Sequence, residues 1–370
     1  LKVFLSSNSA LVSQLKPFAR IFCVDKLKDQ HMKKLSVTLA IAGLFTFVAA
    51  DCGANTITEN FSADPLQNGW QIFGDTNLFQ WDSANQNLNV IWDSSQPNSY
   101  FFHSLGVTLT KDYDFSIQFD LELADITSGN EEGKTSPMPI GIGFLNFADA
   151  ANTGFGRWMY GGAPNIAELD YFAPGSYSDD TGTHLIAPTL TPTFISNDGF
   201  VYAPSVYIPY EVSLPTSQII HVTLTYTGTN QTLTATFQTN GVDCLEIPPV
   251  VLPDDFGAND NFAVDTFSIS SYSSAGDPYD SVLAHGTVGN IVVTVPPPAI
   301  QNFTAAVSNS VSRVIFTSQP VWNYTLQRTA DFQAWTDIVT APGGNGTPLS
   351  LSDTNPPTDK AFYRVKAERP

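Results

Sequence analysis

Glu168 and Asp170, in the stretch NIAELDYFAPGSYSDDTGTHLIAP (165–188), are the side chains best placed to do chemistry. They stand two apart in an apolar-flanked segment, so on a β-strand both carboxylates leave the same face. Asp179 and His184 follow a run containing Pro174 and Gly175 and flank Gly182, which reads as a loop folding back over the strand end. Three carboxylates and an imidazole gathered in this way suit one of two tasks: holding a metal, or carrying what is left of a catalytic carboxylate pair. A third account needs no site. A Glu-x-Asp triplet is common by chance, Asp179 and Asp180 serve to cap a turn, and a lone His184 is ordinarily a hydrogen-bonded surface or core group.

The elements that must position these groups are strands. DFSIQFDLEL (114–123) alternates strictly, with Phe115, Ile117, Phe119, Leu121 and Leu123 on one face. HVTLTYTGTNQTLTATF (221–237) reads as a hairpin, with Val222, Leu224 and Tyr226 inward before the turn and Leu233, Ala235 and Phe237 inward after it. FAVDTFSIS and NIVVTV supply further strands, and Gly, Pro, Asn, Asp and Ser punctuate throughout. From about Asn60 to Val295 the pattern is all-β, and so many strands in one unit imply two large packed antiparallel sheets.

Residues 32–50 read as a signal peptide: Met32, then Lys33 and Lys34, the apolar run LSVTLAIAGLFTFVAA, and Val48 and Ala50 as small residues for cleavage before Asp51. The run is short for a membrane span, so no membrane insertion is expected after cleavage. Residues 1–31 are expected to be over-translated sequence upstream of the true start. The 370 residues carry a net charge of −19. With the seven Lys/Arg and two Asp/Glu of residues 1–50 removed, 9 basic residues face 33 acidic ones, a net −24. Nucleic acid and anionic membrane surfaces are poor partners for such a protein, because phosphate binding needs Lys and Arg. Divalent cations or neutral polymers fit an acidic, secreted chain better. A disulfide between Cys52 and Cys244 is left open.

Pro296, Pro297 and Pro298 mark a stiff linker at 296–299, separating a large domain (51–295) from a small one (300–370). The small domain has balanced charge and short strands (RVIF, NYTLQRT, AFYRVKA), which suit a small β-sandwich. YTLQRTADFQAWTDI, LSDTNPP and KAFYRV together resemble a C-terminal module of secreted proteins of environmental bacteria, Verrucomicrobia in particular. That resemblance implies attachment or spacing rather than catalysis.

IAELDYF, with IGIGFLNF some twenty residues before it, resembles the concanavalin A-like lectin and glucanase superfamily. The resemblance implies a concanavalin A-like jelly-roll, a sandwich of two curved antiparallel sheets. Legume-type lectins in it hold a transition metal and calcium side by side. By that likeness Glu168 and His184 would bind the transition metal, such as Mn2+, Phe172 would bind Ca2+ through its carbonyl, and Asp170 and Asp179 would bridge the two. Pro174 stands where the lectins carry an Asn ligand, and Met138 to Ile140 stand where their sugar-binding Asp is expected. Laminarinase- and lichenase-type hydrolases of the superfamily instead use Glu-x-Asp-x-x-Glu, with two carboxyl groups about 5–5.5 Å apart. Glu168 and Asp170 match its first two places, but the third is Ala173, so an acid would have to come from another strand, for example Glu211 or Glu246.

Aromatic residues offer a second route to sugar binding, since apolar sugar faces stack on rings. Trp70, Trp81, Trp92, Tyr100, Phe101 and Phe102 read as core. Tyr202, Tyr207 and Tyr210, in a loop-like run, and Trp158 and Tyr160, in GFGRWMYGG, are the candidates for a binding rim. No zinc-type cluster, nucleophile elbow or phosphate loop is present. The sequence thus points to a secreted carbohydrate-binding protein without catalysis, with a glycan as partner and a divalent-metal site supporting the binding loop. A glycoside hydrolase with an incomplete motif and a structural cell-surface protein are the alternatives.

Overall fold

The computed structural model describes residues 22–24, 55–157, 163–179, 182–204, 211–252, 261–308, 311–344, 346–358 and 360–370. The chain divides into two compact units, one comprising Ala54–Pro296 and the other Leu1–Gly53 with Pro297–Pro370. Residues 32–50, read as a leader, lie outside the described residues, as does Cys52.

The large unit is an all-β sandwich, as the alternation requires. One sheet has seven strands in the order Val201–Tyr202, Thr189–Ile195, Ile166–Phe172, Pro139–Leu145, Ala263–Ser271, Ser99–Thr110 and Gln71–Phe73, every neighbour antiparallel. The other has nine strands, with Phe115–Thr127 paired on one side to Ile220–Thr227 and on the other to Leu283–Val295. All five apolar positions of the 115–123 strand are buried. So are Val222, Leu224, Tyr226, Leu233, Ala235 and Phe237, and the two strands carrying them pair as a hairpin.

Registered residues share a face, and the seven-stranded sheet therefore has two distinct surfaces. Phe194, Ala167, Phe144 and Phe267 form a row across it that faces the second sheet, where the Phe144 ring meets Phe115 at 4.9 Å and Phe194 meets Tyr226 at 5.6 Å. The opposite surface carries two rows of small or polar residues, each ending in an aromatic one. One is Thr193, Glu168, Gly143, Ser268 and Phe102; the other is Thr191, Asp170, Gly141, Ser270 and Tyr100. Both Glu168 and Asp170 thus leave the face turned away from the apolar core, as their spacing requires.

In the smaller unit, a four-stranded sheet (Phe22–Val24, Ala361–Glu368, Asn323–Thr329, Thr336–Pro342) and a three-stranded one (Gln301–Ser308, Val311–Thr317, Pro348–Asp353) enclose Val314, Phe316, Trp322, Tyr324 and Leu351. Phe22–Val24, within the segment expected to lie upstream of the start, pairs antiparallel with Ala361–Tyr363. A buried carboxylate, Asp353, accepts from Arg328 at 2.8 Å and from the Tyr363 hydroxyl at 2.9 Å.

Candidate functional site

The strand Ile166–Phe172 begins at Asn165, whose backbone is left-handed (φ 58°). Asn side chains tolerate that conformation, and here the amide is used on both sides: Nδ2 donates to Asp149 at 2.7 Å and Oδ1 accepts from the Ala263 N–H at 3.1 Å. Asp149 belongs to the single-turn helix Phe147–Ala150, capped by Asn146, so Asn165 ties the chain after that helix to the sheet.

That chain delivers Arg157 onto the polar face. Its Nε donates to Glu168 Oε1 at 3.1 Å, and Nη2 donates to Asp170 Oδ2. Glu168 Oε2 accepts from the Tyr272 hydroxyl at 2.6 Å. Arg157, Glu168 and Asp170 are 1%, 2% and 0% exposed. The glycines in the same rows exist to make room: a Cβ on Gly141 would lie 2.6 Å from Glu168 Oε2, and one on Gly143 would lie 2.4 Å from the Glu168 Cα. Two acceptors on this face, Asp170 Oδ1 and Thr193 Oγ1, are buried without a hydrogen-bond partner.

Burial first, and the Asp170 carboxylate second, push Glu168 well above the usual carboxylate range, against the pull of Arg157 and the Tyr272 hydroxyl. Burial alone would loosen the proton of Arg157, but Asp170 and Glu168 outweigh it and hold the guanidinium above its ordinary range. Burial and Glu168 likewise keep the Tyr272 phenol protonated.

Beside this cluster, at the end of the sheet where the Ser99 and Pro139 strands start and the Ala263–Ser271 strand stops, lies a cavity of about 660 Å³. Phe73, Met138 and Phe155 give it apolar walls, Asn98, Asn152 and Asp277 give it polar ones, and Arg157 lines it as well. Asn98 joins two of the walls, donating to the Phe155 carbonyl at 2.8 Å and accepting from the Ser273 N–H at 2.7 Å. Behind the 273–278 wall, Lys134 bonds Glu131 Oε2 at 2.7 Å and Ser274 Oγ at 2.9 Å. Asp280, also buried, is pushed up to about 7 by burial and by the Asp277 carboxylate, against Lys134 and Arg157.

Among the described residues, the expected ligand set is not gathered. Instead of a loop folding back, residues 174–186 rise into a two-stranded hairpin, Gly175–Asp179 against Gly182–Ile186, with Tyr177 opposite His184. At about 3.3 Å per residue, this carries the backbone of Asp179 far along the hairpin from Ala173; the side chain of Asp179 lies outside the described residues. Phe172 ends its strand between Pro139 and Thr189. Among the described residues no three His, Cys, Asp or Glu side chains come together in a way that could hold a metal ion. A divalent ion at Glu168 and Asp170 does not fit, because the Arg157 guanidinium already stands between them and would repel it. Ala173 is buried, and Glu211 and Glu246 are exposed, Glu246 just past an edge strand of the other sheet.

Of the expected binding rim, Tyr202 is half-buried with its ring 4.9 Å from Phe200. Trp158, Tyr160, Tyr207 and Tyr210 lie outside the described residues. Trp70, Trp92, Tyr100, Phe101 and Phe102 are buried, as read, while Trp81 is 38% exposed with its indole N–H on the Phe61 carbonyl. Sequence reasoning missed Arg157 and Tyr272. A signal for Arg157 was present: Lys111, Lys134 and Arg157 are the only basic residues between Ala54 and Pro296, and Arg157 alone sits in a glycine- and aromatic-rich run. A base in such a run is buried only when it meets an acid.

No protein-family model matches the chain, and no curated protein matches it. Solved structures similar to it include lectins and lectin-like proteins. Peanut lectin is 17% identical, over 65% of this chain and 99% of that one, with a TM-score of 0.36. Lectin I from Ulex europaeus, in complex with the methyl glycoside of α-L-fucose, is 13% identical over 66% and 98%, with a TM-score of 0.39. A legume lectin-like domain from Entamoeba histolytica is 10% identical over 64% and 94%, with a TM-score of 0.35.

Proposed function

We propose that this chain is a secreted, non-catalytic carbohydrate-binding protein that takes a neutral glycan in the cavity walled by Phe73, Met138 and Phe155. The observation that carries this reading is the cavity itself: about 660 Å³, apolar on some sides and lined by amide and carboxylate groups on others. Apolar surface for the face of a sugar ring, with a few polar groups to fix its hydroxyls, is what such a ligand needs. The one guanidinium lining it is committed to Glu168 and Asp170, so an anionic sugar would find no free base there.

Catalysis by the Glu-x-Asp strand is disfavoured by burial. A general acid must reach the leaving group, and Glu168 and Asp170 are closed from solvent by Arg157 and Tyr272. The strongly acidic large unit likewise argues against nucleic acid as partner.

Titration of the full chain with a panel of neutral oligosaccharides, followed by calorimetry, tests the reading. Gly276 lines the cavity and a Cβ there meets nothing within 4 Å, so the side chain of Gly276→Phe starts from open space and adds bulk at the cavity. Saturable binding that disappears in Gly276→Phe at an unchanged unfolding midpoint is expected, with no release of reducing sugar. Binding that survives the substitution, or turnover of the glycan, would sink the proposal.

A further inference from the structure

We propose that Arg157 is the resident cation of the Glu-x-Asp strand, contacting Glu168 and Asp170 where the lectin resemblance calls for a divalent ion, so that this fold is independent of metal. Five observations converge on it. The guanidinium reaches both carboxylates, Glu168 through Nε at 3.1 Å and Asp170 through Nη2, with all three side chains shut off from water. Two carboxylates buried two residues apart cannot both stay ionised without a cation in contact, and neither of the other bases of this unit serves them. Lys134 is bound to Glu131 and Ser274, and Lys111 lies in the turn between the strands Ser99–Thr110 and Phe115–Thr127.

Next, His184, expected to complete a metal site, stands in the hairpin opposite Tyr177. Two glycines, Gly141 and Gly143, are kept bare by Glu168 itself, so the face is shaped around the carboxylate pair and its partner rather than left open for a hydrated ion. Finally, the guanidinium is the end of a tether. Asn146, Asp149 and Asn165 fix the short helix to the sheet, and Arg157 fixes the far end of the segment that walls the cavity. Arg157 is therefore a positioning residue as well as a counter-charge. Its role stands whether or not the cavity takes a glycan.

Removing the guanidinium leaves Asp170 Oδ1, already without a partner, beside a carboxylate pair with no cation. Such a site becomes receptive to an added ion. The experiment is thermal unfolding of the full chain, wild type, Arg157→Ala and Arg157→Lys, each in EDTA, in excess Ca2+ and in excess Mn2+. The wild-type midpoint is expected to stay constant within about 1 °C across the three conditions, since an ion that does not bind the native state cannot stabilise it. Arg157→Ala is expected to unfold several degrees lower and to regain part of the loss with either ion; Arg157→Lys should unfold between the two and stay indifferent to metal. A wild-type midpoint that falls in EDTA and returns with Ca2+ or Mn2+ overturns the proposal, as does an Arg157→Ala midpoint equal to wild type. Should Arg157→Ala give no folded protein, Arg157→Lys decides: a folded, metal-indifferent variant supports Arg157 as the cation, and one rescued by metal overturns it.

Discussion

The Tyr272 hydroxyl donates to Glu168 Oε2 across 2.6 Å, with both side chains sealed from solvent, while Arg157 holds the other oxygen of the same carboxylate at 3.1 Å. Glu168 thus sits in a closed set of partners rather than in an open cleft. Buried polar groups so arranged are costly to disturb singly, because each deletion strands the partner left behind.

Tyr272→Phe removes the donor and leaves Glu168 Oε2 unsatisfied. The expected loss is about 1–3 kcal/mol, read as a lower urea midpoint at unchanged slope.

Glu168 is held above its ordinary value of 4.5 in the folded chain. The folded state then binds the proton more tightly than the unfolded state does, so the contribution of Glu168 is complete below pH 4.5 and is lost as pH rises toward its folded value. Asp280 behaves in the same sense: raised from 3.8 to about 7, it makes stability fall between pH 4 and pH 7 and adds no slope beyond. Asp280→Asn should flatten that part of a pH series of unfolding midpoints. An unaltered slope in the variant would refute the assignment.

Gly143→Ala places a methyl group 2.4 Å from the Glu168 backbone. Neither strand can yield without breaking its register, so a loss of about 1–3 kcal/mol or more is expected. Gly276→Ala, in open space, serves as the neutral control in the same denaturation experiment.

Asn98→Ala cuts the link between the Phe155 and Ser273 walls of the cavity. Glycan affinity should fall about tenfold through the looser walls, and the two hydrogen bonds lost within the protein, at about 0.5–1.5 kcal/mol each, should lower the unfolding midpoint modestly. Calorimetry on the variant checks this.

Trp70 stacks on Phe101 at 4.8 Å and is buried. Trp70→Ala should cost about 3–5 kcal/mol, the behaviour of a core residue and not of a sugar platform.

Much of the fold is legible in the sequence. Strict alternation at Phe115 to Leu123 and across the 221–237 hairpin fixed which side chains turn inward, since a strand's period of two leaves no other choice once one face is apolar. The same period placed Glu168 and Asp170 on one face. It also misled at residues 174–184, where proline and glycines read as a folded-back loop but the chain pairs with itself as a hairpin. Turn-forming residues mark where a chain bends and not what the segments beyond the bend will pair with.

By itself, then, the sequence determined an all-β sandwich, an acidic chain unsuited to phosphate ligands, and two carboxylates sharing one surface of one strand. Only the tertiary structure decided what faces them. Arg157 lies eleven residues before Glu168 in a run without periodicity, and Tyr272 lies more than a hundred residues after it. No local rule brings such groups together; the sheet does, by setting Ala263–Ser271 beside Pro139–Leu145 and Pro139–Leu145 beside Ile166–Phe172. Whether a carboxylate pair becomes a metal site, an acid catalyst or a neutralised strut depends on the third group within contact distance. That distance is a property of packing, and here packing supplied a guanidinium.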